Sequence, residues 1–180
     1  MRGRALFIPV LLLCCIPVLL LCCAPAQAQD TTEEKSVLVG PWKIEASFTK
    51  EQKFDRCTMS RTVDNGLEAK FARDQAGMSL TMTSPRWKLD SGKTYPVEFA
   101  AGSVIWKTDV AATADTVRVA LTDERFDRAL RNANRLEVRG AGATLRVPLD
   151  KSAAALARLE RCYETNRNAG ETNPFVAPTP

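Results

Sequence analysis

The stretch FDRCTMSRTVDNG, residues 54–66, sets a cysteine beside an acid and a base just ahead of a turn. Three chemistries compete for Cys57. Arg56 could stabilise a thiolate and make a nucleophile, the sulfur could ligate a metal, or it could be one half of a cross-link. The rest of the chain weighs against the first two. There is no histidine, which removes the commonest general base near neutral pH and with it Ser-His-Asp and Cys-His catalysis. Zinc sites that need imidazole go the same way. No P-loop, dinucleotide fingerprint or Gly-x-Ser-x-Gly elbow is present.

Asp123, Glu124 and Asp127 crowd one short stretch. They could be paired carboxylates or calcium ligands, but the alternating oxygen ligands and glycine of a calcium loop are missing. They read instead as a helix start, where acids complement the dipole and Glu124/Arg128 and Asp127/Arg131 pair at i,i+4. No catalytic residue, metal site or cofactor is expected.

The amino terminus says where such a chain would fold. Arg2 and Arg4 precede an uncharged, mostly apolar run from Ala5 to Cys23, followed by Ala26-Gln27-Ala28. That order is a bacterial secretory signal, residues 1–28, cleaved after Ala28. Retention as an anchor is the second reading, against which Pro9 and Pro17 interrupt the run. Lipoprotein processing at Cys22 or Cys23 is the third, though Leu21 and Cys22 stand where a small residue is wanted. Cleavage leaves 152 of the 180 residues, the size of one ordinary domain, and a net charge of +2. So balanced a chain is not a dedicated nucleic-acid binder. It also keeps two cysteines, Cys57 and Cys162. An even pair in an exported chain is most simply one disulfide. Closing a loop of roughly 100 residues stabilises by about 4–5 kcal/mol in the chain-entropy model, less any strain.

The elements follow from periodicity. Residues 29–38 are a polar, flexible lead-in; residues 39–165 make a single β-rich domain; 166–180, with three prolines and no period, is a disordered tail. Trp42, Ile44, Ala46 and Phe48 alternate with polar residues, as do Leu67, Ala69 and Phe71, and Met78, Leu80 and Met82. Asp64-Asn65-Gly66 predicts a hairpin. Pro96 cannot donate to a ladder, so TYPVEFA is expected at a sheet edge. Thr122 or Asp123 caps a short late helix carrying Phe126 and Leu130, and Asp150 or Ser152 caps a last helix with Ala155, Leu156, Leu159 and Cys162 on one face. The fold class is mainly β: an antiparallel β-sandwich or open barrel with a short late helix and a C-terminal helix packed on it.

Two surface features are candidates for binding. Arg118, Arg139 and Arg146 fall on outward strand positions and would form a basic patch for an anionic ligand if their strands are neighbours; a solvated face balanced by Glu137 and Asp115 is the plainer reading. Among Trp42, Trp87, Trp106 and Tyr95, Trp87 follows Pro85-Arg86 near a turn and is the best placed to be exposed.

Trp42 opening the first strand, the cysteine of FDRC, the run from Trp87 through Gly92 to Tyr95, and the ending LEVRGAGATLRVPLDKSAAALARLERC together resemble small exported bacterial domains of largely unknown function. They are similar to the invasion-associated locus B family over Gly40 to Cys162. The resemblance implies a periplasmic or secreted β-rich domain. Family members carry further mid-chain cysteines that this chain does not have, and no catalytic residue carries over. The expected function is an exported, non-enzymatic binding or interaction domain. Its partner would be an envelope or extracellular protein or an anionic ligand, with no stable membrane span after processing. A carboxylate-based periplasmic hydrolase, and an envelope inhibitor or assembly factor working through Tyr95-Pro96-Val97, are the alternatives.

Overall fold

A computed structural model describes residues 36–167. The signal peptide, the first part of the lead-in and the tail after Arg167 lie outside the described residues. No helix among the described residues is long and apolar enough to cross a membrane.

One antiparallel sheet of ten strands carries the fold. A meander opens it: β1 (Val37–Val39), β2 (Trp42–Phe48), β3 (Phe54–Val63), β4 (Leu67–Asp74) and β5 (Gly77–Thr83) each pair with the next. The chain then crosses over. β6 (Thr94–Ala101) and β7 (Val104–Thr113) lead back to β8 (Thr116–Ala120), which pairs with β5. Helix α1 (Glu124–Asn132) carries the chain to β9 (Arg135–Arg139), which pairs with β6 and with β10 (Thr144–Pro148). Helix α2 (Ser152–Arg167) follows.

The two ends of this sheet are tied together. The Trp42 indole donates to the Asp150 carbonyl at 3.0 Å, and Arg61 donates to the Pro148 carbonyl at 2.8 Å and to the Asp150 carboxylate at 2.7 Å. The segment just after the last strand therefore meets the second and third. Of the two forms the sequence allowed, this is the open barrel. Arg61 interrupts the inward face of β3 because it has this work: it sits where pairing with β2 runs out, with its guanidinium 5.3 Å from the Trp42 ring centre.

Inside, Trp42, Met59, Phe71, Leu80 and Phe99 are fully buried. α1 contributes Phe126 and Leu130, with Phe126 edge-on to Phe99 at 6.0 Å. α2 contributes Ala155, Leu156, Leu159 and Tyr163. Cys162, on that helix, is bonded to Cys57 of β3, their Cα atoms 6.1 Å apart and 105 residues apart in sequence.

Local chemistry explains the turns. Asn65 (φ 68°) and Gly66 (φ 75°) take the left-handed backbone the β3–β4 hairpin requires. Gly40 (φ 59°) lets the β1–β2 turn press on Lys151, whose Cγ would lie 2.9 Å from any Cβ there. Asp123 caps α1, accepting from the Arg125 and Phe126 amides at 2.9 and 3.0 Å.

The structure departs from the sequence reading in five places. Val37 and Leu38, expected in the lead-in, already belong to β1. Phe48 is 48% exposed because the register slips between Ser47 and Phe48. Asn166 and Arg167, expected in the tail, still belong to α2. Asp150 and Ser152 make tertiary contacts in place of capping bonds, Asp150 to Arg61 and the Ser152 hydroxyl to the Leu130 carbonyl. Lastly, β6 is interior, between β7 and β9. Pro96 is tolerated there because β9 covers only Glu98–Ala101, leaving Thr94–Val97 with one uncovered flank.

Two outcomes are expected. Arg61→Ala should lower stability by about 1.5–3 kcal/mol in urea unfolding, as loss of charge-assisted hydrogen bonds does. Arg61→Lys should recover only part of it, because an ammonium cannot reproduce the planar fork; full recovery would show that charge alone matters. Asp123, for its part, is held below the ordinary aspartate value of 3.8, first by the Phe126 amide. A depressed carboxyl pKa stabilises above the unfolded value and the effect is lost as pH falls through the folded one. Asp123→Ala should therefore lower the melting temperature at neutral pH, with the difference from wild type closing below about pH 3.8. A difference that persists in acid would contradict the capping role.

Candidate functional site

The crossover from β5 to β6, residues 84–93, runs along the tip of the β7–β8 hairpin. Ser84, Leu89 and Gly92 donate backbone bonds to Asp115, Ala114 and Ala112 at 2.9, 2.8 and 2.9 Å. This path carries Trp87 and Leu89 across one end of the barrel. Beneath them a cavity of about 430 Å³ opens. Met82 of β5, Val110 of β7 and Val117 of β8 line it from one side. Tyr95 and Val97 of β6, Val138 of β9 and Leu145 of β10 line it from the other, and the turn Gly140–Ala143 forms the remaining wall.

Six strands thus aim apolar side chains at one space and leave it unfilled. Tyr95 is the one residue of the lining with a titratable side chain. Its hydroxyl accepts from the Asp90 amide at 3.2 Å. Of the charges nearby, Lys93 is paired with Asp90 at 2.8 Å and Arg139 with Glu98 and Glu137, while Arg86 and Lys88, on either side of Trp87 in the chain, are exposed to solvent. The arrangement can hold an apolar group out of water. Its lining holds no serine, threonine, cysteine, lysine or acid.

Trp87 lines this cavity, half-buried and packed against the core. It shares the lining with Tyr95, whereas Trp42 is wholly buried and Trp106 stacks on Phe99 at 5.4 Å. The four aromatics do not form one platform. The three arginines do not form one patch either. Arg139 and Arg146 come together on Glu137, at 2.8 and 3.6 Å, and Arg135, which the sequence reading passed over, joins them at 3.1 Å. Arg118 lies three strands away on β8, within 3.8 Å of Asp74 and 3.4 Å of the Ser79 hydroxyl. The sheet order separates them, because β7 and β6 stand between β8 and β9.

Around Glu137 the electrostatics are mutual. Its carboxyl is held below the ordinary glutamate value of 4.5, first by the Arg139 hydrogen bond and then by the charges of Arg135, Arg139 and Arg146. Arg139 is raised in turn, by Glu137 first and Glu98 second. Among the described residues, no group of three or more His, Cys, Asp or Glu side chains is placed to hold a metal ion.

Fold and site together define a small β-rich domain, an open barrel whose last helix is fastened by a disulfide, with an apolar cavity at one end. No protein-family model matches the sequence, and no curated protein matches it. Among solved structures, the chain is similar to the crystal structure of invasion associated protein B from Bartonella henselae. The TM-score is 0.54 at 20% identity, over 70% of this chain and 95% of that one. The likeness is one of fold, and it agrees with the loose family resemblance seen in the sequence.

Arg139→Gln should move the Glu137 titration upward, toward 4.5, when followed by carboxyl NMR. A titration that does not move would mean that another neighbour sets it.

Proposed function

We propose that the protein is an exported, non-enzymatic binding domain of the bacterial envelope or exterior, and that it binds at the apolar cavity beneath Trp87. The observation that carries this reading is the cavity itself. Its volume falls within the roughly 300–1,000 Å³ of small-molecule pockets, and mouths of β-barrels are a frequent place for them. Export is supported by the signal-like amino terminus and by the Cys57–Cys162 bond, since disulfides persist in oxidising compartments.

The hydrolase alternative draws less support. The acids it would recruit are engaged in structure: Asp123 caps α1, Asp127 pairs with Arg131 at 3.3 Å, and Glu137 serves three arginines. The assembly-factor alternative needs a receptive strand edge at Tyr95-Pro96-Val97. Lys93 accepts from the Ala112 amide, toward β7. Alternation along β6 then points the Pro96 nitrogen at the uncovered flank, where it has no proton to give.

Ala143 lines the cavity from the exposed turn, so Ala143→Trp should fill the mouth without touching the core. Wild type and variant are to be incubated with detergent-solubilised envelope, re-isolated and analysed by native mass spectrometry. A bound species on the wild type, missing from a variant with the same melting temperature, is the expected result. Identical spectra for the two would contradict the reading.

A further inference from the structure

The make-up of the cavity narrows the ligand further. We infer that it takes an electrically neutral apolar molecule, an alkyl chain or small ring system carrying a single hydrogen-bond acceptor, such as an acyl ester. This rests on the reading that the cavity is the binding site.

Three observations carry it. First, the walls formed by Met82, Trp87, Val110, Val117, Val138 and Leu145 hold no charge. An ionised ligand group placed among them would lose its water and meet no counter-ion. No cation belongs to the lining: Arg139 is engaged by Glu98 and Glu137, Lys93 by Asp90, and Arg86 and Lys88, on either side of Trp87 in the chain, are exposed to solvent. Second, Tyr95 has one polar function left. Its hydroxyl oxygen accepts from the Asp90 amide, and among the described residues no acceptor takes its own proton. The phenol can still donate its own proton, to water when the cavity is empty and to an ester or ether oxygen when it is filled. Third, the surroundings suit a small molecule better than a protein strand. The site is concave, and the uncovered flank of β6 beside it, Thr94–Val97, is interrupted by Pro96. An added strand would find no donor at that position.

The test uses the full processed chain with N-phenyl-1-naphthylamine, a neutral aromatic probe. On binding, probe fluorescence should rise. The share of tryptophan emission that Trp87→Phe removes should fall, because the indole lines the cavity. The bound probe is then displaced with methyl decanoate or with decanoate, below their aggregation concentrations and at an alkaline pH where decanoate is fully ionised. The chains are of equal length and differ in charge. Methyl decanoate should displace at a concentration at least about ten-fold lower, and Ala143→Trp should bind no probe. If the probe binds but decanoate displaces it as well or better, the ligand class is wrong while the cavity remains a binding site. If the wild type binds no probe, or the folded Ala143→Trp variant binds it equally, the cavity reading and the ligand class both fail.

Discussion

The bond between Cys57 and Cys162 fastens the last helix to the third strand, and the rest of the architecture leans on that junction. The sheet alone does not close: its outermost strands, β1 and β10, are not partners. α2 lies over β2, β3 and β4 and covers the apolar face there with Ala155, Leu156 and Leu159. Aromatic contacts flank the disulfide. Tyr163 packs on Phe54 at 5.8 Å between ring centres, and the Arg73 guanidinium sits 4.6 Å from the Tyr163 ring centre. At the other end of the helix, Arg61, Trp42 and Asp150 make the second closure. One closure is covalent and the other is built from hydrogen bonds.

This arrangement leaves the cavity free of structural duty. Cys57 lies opposite Arg73, and Arg73 opposite Met78. Met82, in the cavity wall, is four residues further along β5, about 13 Å at a strand rise of about 3.3 Å per residue. The barrel is closed by helix and disulfide at one end, while the other end, spanned by the Trp87 crossover and the small-residue turn after Arg139, keeps space inside.

Much of this was legible in the residues. Strict alternation marked β2, β4 and β5, because a half-buried strand must send every second side chain inward. Asp64-Asn65-Gly66 marked its turn, and two cysteines in an exported-type chain marked their bond. The failures share a cause: they depend on which strand sits beside which. Pro96 looked like an edge residue, since nothing local reveals that β9 pairs with β6 and stops at Glu98. Arg118 was grouped with Arg139 and Arg146, although the crossover places it beside Ser79. TDVAAT hid the second half of β7, because its inward residues are Val110 and Ala112, and small side chains give little contrast. The cavity was the least visible feature. Val117, Val138 and Leu145 look like ordinary core positions, and only the convergence of six strands shows that they do not meet.

Hydrogen exchange on the oxidised protein and on the reduced, alkylated protein tests the central claim most directly. If the cross-link holds the last helix on the sheet, reduction should expose the amides from Ala155 to Tyr163 while the ladder of β3, β4 and β5 stays protected. Equal protection of that helix in both forms would contradict the account.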